Sequence, residues 1–141
     1  MKIAVFSLLL IFDCNLKAQA IEQFGIELIM ATLNKYIEGS TNIQPKLLEE
    51  AFHSDLNLYY INKGEFKVWS GIEYIEDTKE GELTGELDKI VSIDYKNDIG
   101  FTKVQISHPD NPIPYIDYFM LIKMEGSWKI VHKLYANRMN E

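Results

Sequence analysis

The second half of the chain alternates apolar and polar residues in four successive stretches, and this pattern limits the possible folds more than any other feature. Short polar segments, Lys96-Asn97-Asp98 and Glu125-Gly126, separate neighbouring stretches and have the residue types of hairpin turns. Strands joined by short turns pair antiparallel. The predicted strands span Asp88–Tyr95, Ile99–Ser107, Tyr115–Lys123 and Trp128–Tyr135. We therefore expect an antiparallel meander at the carboxyl end.

The first half carries the helical period instead. Between Ile26 and Ile37, apolar residues recur at spacings of three and four, which predicts a helix ending near Gly39. A second amphipathic helix follows, with Thr41 or Asn42 as its cap and Pro45 in its first turn. The chain thus places helices before strands.

A hairpin and a short helix connect these halves. Residues 56 to 69 read as two strands around the turn Asn62-Lys63-Gly64-Glu65. Ser70 and Glu73 have the spacing of a capping box, so a third helix is predicted to begin at Ser70. The segment from His108 to Pro114 holds three of the four prolines and is predicted to be a loop. The fold class is α+β, with helices packed on one face of a strongly curved sheet.

The first twenty residues resemble an export signal. Lys2 supplies positive charge, Ile3 to Phe12 is an apolar run, and Ala18-Gln19-Ala20 has the pattern of a cleavage site. The run is too short for a membrane span. We expect cleavage after Ala20, which leaves a single domain over residues 21–141 in the periplasm or outside the cell. Cys14 would be lost with the signal.

The charge and motif content exclude several functions. Of 141 residues, 14 are Lys or Arg and 21 are Asp or Glu, for a net charge of −7. This charge disfavours nucleic acid and anionic membrane surfaces as partners. A mature chain without cysteine has no disulfide or thiolate nucleophile, and its three histidines lack the spacing of a zinc site. We expect no metal and no cofactor, since the phosphate-binding and dinucleotide motifs are missing from the sequence.

Several short motifs, in this order, carry a family resemblance. They are Tyr36-Ile37-Glu38-Gly39, Ala51-Phe52-His53-Ser54-Asp55, Ile90-Val91-Ser92-Ile93-Asp94, Lys103-Val104, Asp117-Tyr118 and Gly126-Ser127-Trp128-Lys129-Ile130-Val131. From about Ile26 to Leu134 the chain resembles the nuclear transport factor 2-like superfamily, and within it the secreted bacterial group labelled "putative lumazine-binding" proteins. Ser54 departs from the proline usual there. The resemblance implies a cone-shaped α+β fold with a cavity between sheet and helices. Some members are isomerases, cyclases or dehydratases, and others only bind ligands or assemble, so fold does not settle function.

The turn at Glu125-Gly126 predicts which side chains share the inward face of the last two strands. With a two-residue turn, the facing pairs are Lys123 with Trp128, Leu121 with Ile130, Phe119 with His132, and Asp117 with Leu134. A bulged three-residue turn in place of the two-residue turn would shift this pairing by one residue. The opposite face then carries Lys129 and Lys133.

Asp117 is the leading candidate for a catalytic residue on this register. It is a lone carboxylate among apolar residues with no adjacent cation, so its pKa should be raised, as suits a general acid or base. Asp117→Asn should then leave folding intact. The alternative is a strand-end residue that bonds to backbone or solvent.

Two histidines are weaker candidates. His53 follows the second helix, where it either caps the helix end or acts as a proton shuttle at the cavity mouth. His132 shares the predicted inward face with Asp117 and is either a ligand-binding or a core residue.

Aromatic residues complete the predicted site. Tyr36, Tyr60 and Trp69 are expected to line a slot for a small apolar or flat aromatic molecule, together with Phe119 and Trp128. The first hypothesis is an exported small-molecule-binding domain with an apolar cavity. The alternatives are a cofactor-independent isomerase, cyclase or dehydratase that uses Asp117 with His53 or a tyrosine, and a dimerising assembly module. A homodimer is expected in each case, through the apolar residues Tyr118, Met120, Ile122 and Val131 on the outer face.

Overall fold

The structure is a computed structural model that describes residues 3–79 and 83–136. Within these ranges, the helices and strands follow the predicted order. They are α1 (Ile3–Thr41), α2 (Pro45–Ala51), β1 (Phe52–Asn62), β2 (Glu65–Ser70), α3 (Gly71–Lys79), β3 (Leu87–Lys96), β4 (Ile99–His108), β5 (Asn111–Met124) and β6 (Ser127–Ala136). Met1 and Lys2, which belong to the predicted export signal, lie outside the described residues.

The six strands form one curved sheet in the order β2-β1-β6-β5-β4-β3. The last four strands pair antiparallel as a meander, which confirms the prediction from their turns. Strand β1 pairs with β6 in parallel, so the first hairpin extends the meander at its carboxyl-terminal strand. The α+β fold class is therefore confirmed.

One face of the sheet, here the helix-facing face, contains the core. On α1, Ile29, Leu33 and Tyr36 are buried, as the helical period predicts. They pack with buried residues of the later elements, namely Leu48, Phe52, Leu56, Leu58, Val104, Ile106, Phe119, Leu121, Trp128 and Ile130. The core thus spans α1, α2 and four of the strands.

The junction between α1 and α2 differs from the prediction. Helix α1 continues through Thr41, and the cap of α2 is Gln44, whose side chain makes no capping hydrogen bond. Thr41 and Asn42 are therefore not the caps, because backbone bonds such as Asn42 N to Glu38 O, at 3.0 Å, still belong to the end of α1. The helices approach closely at Gly39, where a Cβ atom would lie 2.9 Å from the Leu48 side chain.

The capping box at α3 is confirmed. Ser70 Oγ donates to Glu73 Oε2 at 2.7 Å, and the Ser70 backbone N–H donates to the same oxygen at 3.2 Å. The Glu73 N–H donates back to Ser70 Oγ at 3.2 Å. This pattern fixes the start of the helix that carries Tyr74.

The proline-rich segment is mostly strand, so the predicted loop from His108 to Pro114 is wrong. Only Pro109 and Asp110 form a turn, and β5 begins at Asn111. Pairing of β5 with β6 begins at Asp117, so this first part of β5 has β4 alone as its neighbour. Proline is tolerated on such an unpaired edge because no ladder bond needs its missing N–H.

A bulge in β6 changes which side chains face the core. The Glu125-Gly126 turn has two residues with positive φ, and the pairs Lys123–Trp128 and Leu121–Ile130 are as predicted. Beyond them, Val131 is an extra residue, and the observed pairs are Met120 with His132, Phe119 with Lys133, and Asp117 with Tyr135. The predicted pairs Phe119–His132 and Asp117–Leu134 are therefore wrong. Lys133 faces inward, whereas Leu134 is exposed.

The opposite face of the sheet, here the outer face, carries a row of apolar side chains. The strand pairing places Val68, Tyr59, Leu134 and Tyr118 side by side across β2, β1, β6 and β5. Val68, Leu134 and Tyr118 are each about half exposed, at 53%, 45% and 51%.

The amino-terminal part of α1 extends away from the core. Residues 16 to 24 are exposed, including Leu16, Ile21 and Phe24. The Tyr95 hydroxyl donates to the Glu22 carbonyl oxygen at 2.9 Å, and Gly25 leaves room for this tyrosine ring. Within the described residues, no helix is long and apolar enough to cross a membrane.

Candidate functional site

A pocket of about 180 Å³ opens between the helices and the carboxyl-terminal half of the sheet. It is bounded by α1, α3, the segment before β3, and strands β5 and β6. The lining residues are Tyr36, Ser40, Ile43, Tyr74, Asp77, Thr78, Thr84, Glu86, Tyr115 and Lys133. Among these ten, Ile43 is the only side chain without a polar group, so this pocket differs from the apolar cavity that we predicted.

A buried ion pair lies behind the pocket wall. Lys133 Nζ is 2.7 Å from Asp117 Oδ2, and the two side chains are only 8% and 1% exposed. Lys133 Nζ also donates a hydrogen bond to the Tyr36 hydroxyl at 2.6 Å. That hydroxyl in turn donates to Asp117 Oδ2 at 3.4 Å. The three residues form a closed polar cluster, in which Lys133 and Tyr36 line the pocket and Asp117 does not.

Aromatic rings surround the Lys133 ammonium group. Its Nζ lies between 4.9 and 5.8 Å from the centres of four rings, those of Tyr36, Tyr135, Tyr74 and Phe119. Cations are stabilised over the faces of such rings. The rings and Asp117 together hold a charge that would otherwise be costly to bury.

The surroundings shift the pKa values of this cluster upwards. Burial raises the pKa of the Tyr36 hydroxyl well above its usual 10.0, and it raises the pKa of Tyr135 to about 12. Burial by itself would lower the pKa of Lys133, but Asp117 at 2.7 Å, with the nearby tyrosines, raises it well above 10.5. At neutral pH the lysine is therefore an ammonium group and both tyrosines are neutral donors.

The outer part of the pocket contains carboxylates and hydroxyls. The Tyr115 hydroxyl donates to Glu86 Oε1 at 2.9 Å, and Thr78 Oγ1 donates to the Tyr74 carbonyl oxygen at 2.8 Å. Asp77 is exposed on α3. The pocket thus combines a cationic floor with acidic groups nearer the solvent.

Asp117, the predicted catalytic residue, is buried as expected but has a different environment. The predicted rise of its pKa rested on the lack of a nearby cation, and Lys133 fills that place. Removal of one partner of a buried ion pair is strongly destabilising. The expectation that Asp117→Asn would leave folding intact therefore no longer follows.

Neither histidine candidate lines this pocket. His53 Nδ1 accepts a hydrogen bond from the Asp55 N–H at 3.1 Å, which is a local turn contact. His132 lies beside Tyr59, with ring centres 5.2 Å apart, and Tyr59 in turn stacks on the exposed ring of Phe66. The bulge places His132 away from Asp117.

Of the predicted aromatic residues, Tyr36 alone lines this pocket. Phe119 is buried beneath it, with ring centres 4.8 Å apart. Trp69 packs edge-on against Tyr74, and Tyr60 stacks on Tyr135. Trp128 is buried near Tyr95, at the other end of the core.

The sequence reasoning missed Lys133, Tyr74, Tyr115 and Glu86. Lys133 follows an alternating stretch that assigns it to the outer face, and only the bulge at Val131 turns it inward. Tyr74 could have been identified from the sequence, because the capping box at Ser70 fixes the start of α3 and therefore the helical face on which Tyr74 lies. The residues that the structure describes contain no group of three or more His, Cys, Asp or Glu side chains that could hold a metal ion.

Solved structures share this architecture. A nuclear transport factor 2-like protein of unknown function from Shewanella baltica OS155 superposes with a TM-score of 0.71 at 19% identity, covering 82% of this chain and 93% of that one. A second such protein, from Silicibacter pomeroyi DSS-3, gives 0.70 at 22% identity and covers 81% and 96%. At these identities the likeness shows the fold.

Two sequence comparisons extend over most of the chain. The aldolase FrzH of a Cladobotryum species is 26% identical over 122 residues, covering 84% of this chain and 95% of the relative. The family described as "putative lumazine-binding" matches residues 25–136. That range includes the whole candidate site, and the chain, whose fold is nuclear transport factor 2-like, therefore belongs to the "putative lumazine-binding" family.

Proposed function

We propose that the protein binds a small molecule in this pocket, with an oxygen acceptor of the ligand against Lys133. The supporting observation is a buried ammonium group that lines the pocket while its counter-ion, Asp117, does not. Protein ammonium groups donate up to three hydrogen bonds, and two of those of Lys133 go to Asp117 and Tyr36. A ligand oxygen would accept the third.

The pocket also limits the size and shape of the ligand. Its 180 Å³ is below the 300–1,000 Å³ typical of drug-sized ligands. Three tyrosine rings, those of Tyr36, Tyr74 and Tyr115, contribute flat surfaces to its walls. We therefore expect a small, flat molecule with several polar groups, which fits a lumazine-like ring and revises the predicted apolar ligand.

Calorimetric titration with lumazine tests this function. Lumazine should bind the wild type, and the double variant Asp117→Leu/Lys133→Met should lose binding because the donor is gone while no unpaired charge is left buried. Lys129→Met, a lysine outside the lining, is the matched control. Native mass spectrometry of the purified protein would detect a different ligand. Equal binding of any detected ligand by wild type and double variant would rule out this pocket.

A second candidate function is cofactor-independent carbonyl chemistry, favoured by the relative named as an aldolase. Lys133 could donate to the oxygen of a forming enolate, and Glu86 on the pocket wall could take the proton from the carbon. This assignment moves the predicted base from Asp117 to Glu86 and makes no use of His53.

Proton exchange in heavy water tests this candidate. Incubation with small ketones such as hydroxyacetone and cyclohexanone should speed deuterium uptake at the carbon next to the carbonyl, as measured by proton NMR. Glu86→Gln should slow this uptake, and Asp77→Asn is the control on the same pocket. If none of the tested ketones takes up deuterium faster with the protein, the catalytic candidate is ruled out and ligand binding remains as the proposed function.

We propose in addition that the protein forms a homodimer through its outer face. The row of Val68, Tyr59, Leu134 and Tyr118 supports this, since large exposed apolar patches mark interaction sites. Light scattering at micromolar concentration should give twice the chain mass. A monomer would contradict the proposal.

Finally, we propose that residues 1–20 are an export signal and that the protein is periplasmic or secreted. The composition of this segment supports the proposal, as does the exposure of residues 16 to 20. Amino-terminal sequencing of exported protein should begin at Ile21. Intact Met1 on cytosolic protein would contradict it.

A further inference from the structure

A lysine that faces a bound carbonyl group can act in two chemically different ways. As an ammonium group it donates a hydrogen bond to the oxygen. As a neutral amine it attacks the carbon, loses water and forms an imine. The pocket alone is compatible with either role.

We propose that Asp117 is the positioning residue that restricts Lys133 to the first role, so that carbonyl ligands are held by a hydrogen bond and not as a covalent imine. This inference rests on the proposed binding function and assigns the kind of ligand contact made in that site. Asp117 acts only through Lys133 and Tyr36, because it does not line the pocket and is 1% exposed.

The geometry supports this division of roles. Asp117 Oδ2 lies 2.7 Å from Lys133 Nζ, and the Tyr36 hydroxyl, 2.6 Å from Nζ, points toward the same carboxylate oxygen at 3.4 Å. Two contacts thus hold the ammonium group in a fixed place. Loss of its proton would leave the buried carboxylate without a counter-charge, which is costly.

The other titratable groups around Lys133 cannot replace Asp117. Tyr36 comes from α1 and Tyr135 from β6, and both are neutral at pH 7 because burial raises their pKa values. Tyr74, from α3, contributes the face of its ring. Asp117 is the carboxylate that lies at ion-pair distance from Lys133. The other described carboxylates of the pocket, Asp77 and Glu86, line its outer part, where Glu86 accepts a hydrogen bond from Tyr115. Without it, burial would favour the neutral amine.

Reductive methylation measures this difference without any ligand. Formaldehyde condenses with a neutral amine, water leaves, and cyanoborohydride reduces the imine to a methylamine. At pH 7, Lys133 of the wild type should be labelled far more slowly than the exposed Lys89 and Lys96. Labelling should rise about tenfold for each unit by which its pKa falls in Asp117→Asn. Peptide mass spectrometry gives the rate for each lysine.

Tyr36→Phe is the control, because it removes a neighbour of Lys133 but keeps the carboxylate, and it should leave labelling slow. Circular dichroism must show that Asp117→Asn is folded. If Asp117→Asn does not fold, the inference is tested on the wild type, by measuring the labelling rates between pH 7 and 11. The pH at which Lys133 begins to be labelled should then be higher than that for Lys89.

Two results would overturn the inference. One is rapid labelling of wild-type Lys133 at pH 7, and the other is a folded Asp117→Asn variant in which Lys133 stays unreactive. Failure of lumazine binding would affect the proposed function but not these rates, so the two failures can be told apart.

Discussion

Folded proteins usually bury apolar side chains and expose charged ones, and the two faces of this sheet depart from that rule in opposite ways. The helix-facing face buries a charged pair, Asp117 and Lys133, within an otherwise apolar core. The outer face exposes apolar side chains such as Val68, Leu134 and Tyr118. Each arrangement costs stability in an isolated chain. This difference supports two separate proposals, a small-molecule site on the helix-facing face and an interface between two copies of the chain on the outer face.

The largest effect should come from separating the charges of the helix-facing face. Lys133→Met leaves the Asp117 carboxylate buried without a counter-charge, so urea unfolding should show a loss of about 3–5 kcal/mol. The double variant Asp117→Leu/Lys133→Met should recover most of this loss. Lys96→Met, at an exposed site, is the control and should change stability by less than about 0.5 kcal/mol. A small effect of the single variant would mean that water reaches the pair.

The outer face should respond through association and not through folding. Tyr118→Glu places a charge at the β5 end of the apolar row, and loss of one such contact costs about 2 kcal/mol or more of binding, roughly a thirtyfold weaker dimer. Light scattering should show a lower average mass with an unchanged melting temperature. Glu38→Lys on the exposed side of α1 is the control. An unchanged average mass in Tyr118→Glu would show that the apolar row does not mediate dimerisation.

The two faces should also differ in their response to alkaline pH. The folded-state pKa values of Lys133, Tyr36 and Tyr135 are raised above those of the unfolded chain. The unfolded chain therefore loses these protons first, and the contribution to stability is complete below about pH 10 and is lost as the pH rises toward 12 and beyond. Urea unfolding between pH 8 and 12 should show this loss, and the double variant at 117 and 133 should show less of it.

The smallest predicted effect lies outside both faces, at the start of α3. Ser70→Ala removes a cap and should cost about 1 kcal/mol. Thermal melting measures this loss, and Ser54→Ala, an exposed serine in β1, is the control. If Ser70→Ala weakens ligand binding more than stability, then α3, which carries Tyr74, sets the shape of the pocket wall.

Much of this fold could be predicted from the sequence because hydrophobic period and turn residues act locally. The helix around Ile29 and Leu33, the capping box at Ser70 and the turn at Glu125-Gly126 are examples. The parallel pairing of β1 with β6 was missed, since it joins residues more than seventy positions apart, such as Phe52 and Ile130.

The candidate site was predicted less well, for a different physical reason. Asp117 and Tyr36 were identified because both sit at regular positions of a strand and a helix. Lys133 was not, because one extra residue in β6 reverses the side-chain alternation on which its assignment depended. Sequence alternation shows no sign of such an insertion.

The bulge at Val131 also bears on how the chain finds a unique structure. Without it, β6 could pair with β5 in a regular register that places Leu134 opposite Asp117 and turns Lys133 to the solvent. That competing register keeps the regular alternation and turns Leu134 inward, but it leaves a carboxylate inside without a cation. The ion pair therefore favours the observed register over the regular one. Asp117 and Lys133 would then favour the correct strand register during folding, before any ligand binds.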